Sequence, residues 1–140
     1  MAAFLWPWLT PEFIDERISE VYSNEELANA YLSVTRGSAT FWVAEAESGI
    51  VGFAYAGDRG QGWELIRLYV LPDHFGEGIG STLVGLAEGF VQQKGGDRIF
   101  CFVHRNNERA LAFYRHKGYR RLPEKDKAQP PLMFMEKTLD

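Results

Sequence analysis

The stretch from residue 63 to residue 103 constrains the fold of this chain most strongly. An apolar extended run, "WELIRLYVL" (63–71), leads into the glycine-rich turn "HFGEGIG" (74–80) and then into "STLVGLAEGFVQQKGG" (81–96), where apolar residues recur at helical spacing. A second run, "RIFCFV" (98–103), is typical of a strand buried on both faces. Two strands joined through a helix lie parallel with a right-handed crossover. The segment therefore predicts a mixed α/β (α+β) fold with helices flanking a central sheet.

The rest of the chain supplies further strands and helices to the same domain. Thr10 and Ser23 have the features of helix N-caps and predict two helices in residues 10–34. Residues 40–45 and 50–56 predict a hairpin, followed by a loop over 57–62. The remaining predicted elements are a helix in "NNERALAFYRHKG" and strands in "YRRL" and "LMFMEKTL". We expect a single domain over residues 1–140, because no repeat or linker divides it.

Strict alternation along the run 63–71 predicts which side chains share a face of the sheet. It places Glu64, Ile66, Leu68 and Val70 on one face and Leu65, Arg67 and Tyr69 on the other. On this reading Glu64 is either at the mouth of the strand or partly buried.

Charge and cysteine content exclude several functional classes. The net charge of -4 lacks the basic excess that nucleic acid binding requires, so no nucleic acid partner is expected. The one cysteine, Cys101, has no internal disulfide partner and is expected to be a buried small side chain. The N-terminal residues lack a signal peptide pattern, and no run reaches transmembrane length. We therefore expect no membrane partner, a cytoplasmic location and no metal site, since no Cys/His cluster is present.

The glycine turn resembles two nucleotide-binding motifs but fits neither. Ser81 stands where the dinucleotide fingerprint needs its third glycine, and Asp97 precedes a strand instead of following one. The P-loop of nucleoside triphosphatases is excluded because no G-K-[ST] follows. Glycines before a helix start still let main-chain N–H groups approach an anion, and a pyrophosphate suits them. A tight turn without a ligand is the alternative that these residues alone leave open.

Two linked motifs in the chain resemble those of a known family. "LYVLPDHFGEGIGSTLV" follows the pattern strand, V-x-P, [QR]-x-x-G-x-[GA], helix, and "NERALAFYRHKGY" matches N-x-x-A-x-x-[FL]-Y-x-x-x-G-[FY] in register. Together they resemble the GNAT superfamily of acetyl-CoA-dependent N-acetyltransferases, over about residues 10–139. The segment before them looks most like the PaiA type, the bacterial spermidine/spermine acetyltransferases.

The resemblance implies acetyl-CoA as cosubstrate and a set of residues that bind it. In the family the strands here numbered 64–70 and 98–103 splay apart, the pantetheine pairs with the first of them, and the glycine turn binds the pyrophosphate. The implied cofactor-binding residues are Leu68, Tyr69, Val70, Phe75, Gly76, Glu77, Gly78, Ile79, Gly80, Ser81 and Asn107. Asn107 is alternatively only a helix cap.

The resemblance also implies two catalytic residues. Tyr114 matches the general acid that protonates the CoA sulfur, and a core aromatic is its alternative role. Glu64 matches a carboxylate that serves as the base, with Glu45 in reserve, and an ordinary strand glutamate is the alternative. His74 and His104 are given no catalytic role.

The chain departs from the family pattern in two places. Phe75 occupies the [QR] position and cannot donate a hydrogen bond to a phosphate. The N-terminal strand is expected to be missing or shortened, with Trp6 and Trp8 either at the acceptor site or filling the core or a dimer seam.

The resemblance implies transfer of an acetyl group to a primary amine by direct attack in a ternary complex. A polyamine or other small amine is the first acceptor expected, and a protein N-terminus or lysine is the next. A catalytically weak acyl-CoA-binding sensor is the alternative that Phe75 keeps open. Members of the family are commonly dimers, so the resemblance implies a homodimer, and "LMFMEKTL" is a candidate for its interface.

Overall fold

The computed structural model of the protein describes residues 2–5, 38–47 and 49–140. For residues 2–5 the description covers the strand that the backbone forms and its pairing. The two helices predicted in residues 10–34 and the aromatic side chains of Trp6 and Trp8 lie outside the described residues.

The described residues form seven strands and two α-helices. The strands are β1 (Ala2–Leu5), β2 (Ala39–Ala46), β3 (Gly49–Asp58), β4 (Trp63–Val70), β5 (Arg98–His104), β6 (Arg120–Arg121) and β7 (Leu132–Thr138). The helices are α1 (Ile79–Gln93) and α2 (Glu108–His116). Single turns of 3-10 helix at Pro72–His74 and Pro123–Lys125 complete the elements. The predicted loop over 57–62 is shorter than expected, because β3 continues through Asp58 and pairs there with Trp63.

One sheet contains all seven strands, in the order β1-β2-β3-β4-β5-β7-β6. Every neighbouring pair is antiparallel except β4 and β5, which are parallel and are connected through α1. The mixed α/β fold with one parallel crossover, predicted from residues 63–103, is confirmed.

Both described α-helices pack on the same face of the sheet. Helix α1 buries Ile79, Leu83 and Val91, and α2 buries Leu111 and Tyr114 in the same apolar cluster. The opposite face of β2–β4 carries stacked rings that are also buried. They are Phe41, Phe53 and Tyr55, with Tyr69 beside them. Successive side chains of these strands point to opposite faces of the sheet, so the strands carry apolar side chains on both faces.

A β-bulge in β4 corrects the predicted faces of that strand. Tyr55 pairs with Arg67 while the next residue of β3, Ala56, pairs with Leu65, so Ile66 is the extra residue. An extra residue shifts the alternation by one position. Leu65 therefore lies on the helix-covered face with Leu68 and Val70, and Glu64 lies on the opposite face. The prediction that Glu64 shares a face with Leu68 and Val70 is wrong.

A short strand is present at the N-terminus. Residues Ala2–Leu5 pair antiparallel with β2, Ala2 opposite Glu45 and Leu5 opposite Trp42. This corrects the alternative that the first strand is missing. The strand is four residues long, which leaves the other alternative, a shortened strand.

Candidate active site

The parallel strands β4 and β5 are paired at one point and then separate. Glu64 opposite Phe100 is their one register pair, whereas β5 pairs along its whole length with β7 on its other side. β4 likewise remains paired with β3 as far as Val70. The edge of β4 that faces β5 therefore has no ladder partner among the described residues at Leu68, Tyr69 and Val70, and an extended ligand can pair there as an added strand.

A cavity of about 530 Å³ extends from the end of β4 to the glycine turn. Its walls come from the end of β4, the turn, the start of α1 and the inner side of α2. The lining residues are Leu68, Tyr69, Val70, Pro72, His74, Phe75, Gly76, Gly78, Ile79, Gly80, Ser81, Asn107, Arg109, Ala110, Phe113 and Tyr114. All but one of the predicted cofactor-binding residues line it, Glu77 being the exception. Of the predicted catalytic residues, Tyr114 lines the cavity and Glu64 does not.

The glycine turn presents main-chain donors to the cavity. Gly76 and Gly78 have φ of 83° and 82°, a left-handed conformation that suits glycine. Gly78 caps α1 without a side-chain hydrogen bond. None of the backbone N–H groups of residues 76–81 donates a hydrogen bond to a described residue. Unpaired donors and the positive end of the helix dipole therefore converge on one spot, a natural anion site.

Phe75 has a cationic partner that the sequence did not reveal. The Arg109 guanidinium carbon lies 4.0 Å from the centroid of the Phe75 ring, and both residues line the cavity. Phe75 is 42% exposed, so the pair lies at a solvent-exposed edge of the cavity, beside the turn. Arg109 occupies a variable position of the N-x-x-A motif, which is why the motif gave no signal for it.

Glu77 and His74 pair with each other beside the turn. His74 Nδ1 lies 3.0 Å from Glu77 Oε1. The predicted role of Glu77 in cofactor binding thus concerns its backbone N–H, because its side chain is engaged outside the cavity. His74 does line the cavity, although the sequence gave it no role.

Helix α2 holds Tyr114 in the wall of the cavity. Asn107 caps this helix, its side-chain oxygen accepting a hydrogen bond of 3.1 Å from the Ala110 N–H, so its capping role is confirmed. Tyr114 is 7% exposed, and its ring packs edge-on against Phe113 and Tyr119. Burial, followed by the proximity of Cys101, raises the pKa of Tyr114 well above its usual range. The hydroxyl therefore keeps its proton at neutral pH, as a proton donor must.

Glu64 lies where the two parallel strands begin to separate, on the face of the sheet opposite the helices. The residue is only 6% exposed, and its carboxylate accepts a hydrogen bond of 2.8 Å from the Arg59 guanidinium. Arg59 is the more exposed partner and comes from the loop after β3. The reserve candidate Glu45 pairs with Ile50 beside the β2–β3 turn, at the other end of the hairpin from Glu64.

The buried thiol of Cys101 and the buried phenols of Tyr114 and Tyr119 make the stability of the fold sensitive to alkaline pH. Burial, with a smaller effect of the Glu64 charge, raises the pKa of the Cys101 thiol far above its ordinary range. Burial and then Glu88 do the same for the pKa of Tyr119. These groups stay protonated in the folded state and lose their protons in the unfolded state, which alkaline pH therefore favours.

We expect the free energy of unfolding to fall as the pH rises above about 8.5, where an unfolded cysteine ionises. Ionisation of the cysteine in the unfolded state lowers the free energy of unfolding by about 1.4 kcal/mol per pH unit. The two tyrosines, Tyr114 and Tyr119, add to this fall from about pH 10. Urea unfolding in reducing buffer between about pH 7 and 10 measures this effect. In Cys101→Ala the fall should begin near pH 10, and an unchanged onset would contradict the role of the thiol.

The residues of the cavity fit acetyl-CoA. Main-chain donors at the turn suit the pyrophosphate, the unpaired edge of β4 suits the amide groups of the pantetheine, and the phenol of Tyr114 suits the sulfur. A side chain at Gly80 would narrow the cavity, because a Cβ there would lie 3.3 Å from the Phe113 ring. No cluster of possible metal ligands is found among the described residues. None of their helices is long and apolar enough to cross a membrane.

A parallel strand pair that separates beside an anion-binding turn, with a buried phenol in the wall of the adjoining cavity, defines an acyl-CoA-dependent acyltransferase. The chain belongs to the acetyltransferase (GNAT) family, whose model matches residues 2–119. It is an N-acetyltransferase that uses acetyl-CoA as cosubstrate. The family predicted from "HFGEGIG" and "NERALAFYRHKGY" is confirmed.

A curated relative and two solved structures resemble the chain closely. The spermidine N(1)-acetyltransferase of Thermoplasma acidophilum is 32% identical over 121 residues, 82% of this chain and 75% of the relative. The PaiA N-acetyltransferase of Thermoplasma acidophilum, solved with coenzyme A, is 25% identical with a TM-score of 0.76 and 99% coverage of both chains. An acetyltransferase of Staphylococcus aureus Mu50 shares the fold at 19% identity, with a TM-score of 0.78 and coverage of 99% and 100%.

Proposed function

We propose that the protein acetylates a primary amine of a polyamine by direct attack on acetyl-CoA in a ternary complex. The observation that carries this proposal is the opening between β4 and β5, with the cavity and Tyr114 on one face of the sheet and Glu64 on the other. A thioester and an amine can thus meet from opposite sides of the sheet. The relative that acts on spermidine supports a polyamine as the acceptor.

The cofactor-binding role of the cavity rests on its main chain. The N–H groups of residues 76–81 are proposed to hold the pyrophosphate, and the edge of β4 at residues 68–70 to pair with the pantetheine. A backbone donor on this edge also polarises the thioester carbonyl. Asn107 and Ser81, which also line the cavity, are proposed to contact the cofactor as well.

Proton transfer at the two faces completes the proposed chemistry. A primary ammonium has a pKa of about 10.4 and must lose a proton before it attacks. Glu64, directly or through water, accepts that proton. The leaving thiolate, whose conjugate acid has a pKa of about 8.5, takes a proton from the Tyr114 hydroxyl. Arg59 must release or share Glu64 when a cationic substrate enters, since both compete for one carboxylate.

Release of free thiol from acetyl-CoA over a panel of acceptors tests the proposal. Spermidine and spermine should react with a higher kcat/KM than a lysine peptide or a peptide N-terminus. Binding of CoA without thiol release on any amine would instead support the sensor alternative. A preference for the peptides would support a protein acetyltransferase.

Arg109 is proposed to replace the missing [QR] side chain at the pyrophosphate. Stacking on Phe75 orients its guanidinium beside the turn, and a charge-assisted hydrogen bond to a phosphate is worth about 1.5–3 kcal/mol. Arg109→Ala should therefore weaken CoA binding by roughly 10- to 100-fold in isothermal titration calorimetry.

Two comparisons separate this role from a general loss of structure. Pantetheine, which has no phosphate, should bind the variant as it binds the wild type. Arg115→Ala, which removes an exposed cation from the same helix outside the cavity, is the matched control. Equal losses of CoA and pantetheine affinity would contradict a phosphate contact.

Some further expectations extend the same proposal. We propose one catalytic domain over residues 1–140, in the cytoplasm, as a homodimer to which β7 contributes. Analytical ultracentrifugation tests the last of these.

A further inference from the structure

Two buried carboxylates and a ring form a row across the sheet, on the face opposite the helices. Glu64 on β4 lies beside Phe100 on β5, and Phe100 lies beside Glu136 on β7. Directly opposed residues of neighbouring strands share a face. Met135, the neighbour of Glu136 along β7, belongs to the core under the helices, so Glu136 projects to the other side. The row is therefore Glu64, Phe100 and Glu136, and its first member is the proposed base.

Glu136 is a buried charge without a described partner. Only 8% of the residue is exposed, yet its carboxylate forms no ion pair or hydrogen bond among the described residues. Arg120 lies opposite it on β6, and no ion pair joins the two within the described part of the chain. Burying a carboxylate costs free energy unless a partner compensates it. An incoming cation would supply that compensation.

Cations of the protein itself already occupy the neighbouring positions of this face. Arg59 pairs with Glu64, Lys127 lies 4.3 Å from the Phe102 ring, and Lys125 lies 5.0 Å from the Phe134 ring. Within the row itself, neither Phe100 nor Glu136 has such a cation among the described residues. Cations of the protein thus pack on this face, and Glu136 is the carboxylate of the row that none of them neutralises among the described residues.

We infer that Glu136 binds a second ammonium group of the acceptor, while the first ammonium faces Glu64. This inference rests on the proposed function and names its substrate class, an amine with two or more positive charges. Strands lie about 4.8 Å apart, so positions two strands apart are separated by about 10 Å. A polyamine chain spans such a distance, and the Phe100 ring packs against the methylene groups between its charges.

Paired diamines and monoamines test this subsite in the full-length enzyme. For the wild type, kcat/KM should be higher for diaminooctane than for diaminopropane. It should also be higher for diaminooctane than for octylamine, which has the same chain length and one ammonium group. Glu136→Gln should lower kcat/KM for spermidine and diaminooctane by roughly 10- to 100-fold through KM, and leave octylamine unchanged. Glu124→Gln, which changes an exposed glutamate between β6 and β7, is the matched control.

A binding measurement keeps the inference separate from catalysis. Calorimetric titration of spermidine into the protein with CoA should show an affinity that Glu136→Gln reduces by the same factor. The melting temperature of this variant without ligand should be equal or higher, because a buried charge is removed. Equal losses for octylamine and diaminooctane, or unchanged spermidine binding in the variant, would overturn the subsite. Absence of thiol release with intact, Glu136-dependent spermidine binding would overturn the proposed function alone.

Discussion

Tyr114→Phe is expected to lower kcat by roughly 10²-fold or more, with little change in CoA affinity. The substitution removes the proton that the leaving thiolate needs and keeps the ring that packs against Phe113 and Tyr119. Steady-state thiol release gives kcat, and calorimetry with CoA gives the affinity. Because the pKa of Tyr114 is raised, the wild-type rate should also show no loss from tyrosinate formation below about pH 10.

Tyr119→Phe is the matched control for this prediction. Tyr119 is also buried, and its hydroxyl donates a hydrogen bond of 2.9 Å to Glu88, which does not line the cavity. We expect this variant to lose about 1.5–3 kcal/mol of unfolding free energy, because the lost hydrogen bond is to a carboxylate, and to keep its kcat. An unchanged kcat in Tyr114→Phe, or the same loss in both variants, would remove Tyr114 from the proton transfer.

Glu64→Gln is expected to lower kcat/KM at neutral pH by roughly 10²- to 10⁴-fold. The amide keeps the shape of the side chain but cannot accept a proton from the ammonium group. As the pH rises toward about 10.4, the ammonium group loses its proton to solvent without a base, so the variant should recover activity more steeply than the wild type. The ratio of kcat/KM values between about pH 7 and 9 measures this recovery.

Arg59→Ala distinguishes a base from a structural anchor. If Glu64 only fixes the loop after β3, removing its partner at 2.8 Å should reproduce the loss. We expect Arg59→Ala instead to keep kcat and to lower KM for spermidine, because a competing cation is gone. A comparable loss of kcat in the two variants would contradict the base role.

Much of the site could be predicted from the sequence because it depends on the main chain. Glycine spacing before a helical pattern determines where N–H groups are unpaired, and the residues of the turn other than Glu77 line one cavity with Tyr114. The parallel crossover follows from the order of apolar runs and the handedness of such connections. The family motifs added the roles that spacing alone left open.

The parts that were wrong or missing depend on tertiary contacts. A bulge at Ile66 cannot be read from alternation, since a two-residue period assumes that no residue is inserted. Arg109 was missed because its importance comes from the ring of Phe75, which is distant in sequence. The proposed role of Glu136 likewise depends on Phe100 and Glu64, which strand pairing places in one row with it.

The central claim is that the turn "HFGEGIG" binds the pyrophosphate of acetyl-CoA through the main chain, although Phe75 stands in the [QR] position. Amide chemical shifts recorded during a titration with CoA test it most directly. The N–H signals of residues 76–81 should move strongly downfield with CoA and stay in place with pantetheine, because only the former brings phosphates to the turn. Signals at these residues that do not respond to CoA, with the largest shifts elsewhere in the protein, would contradict the claim.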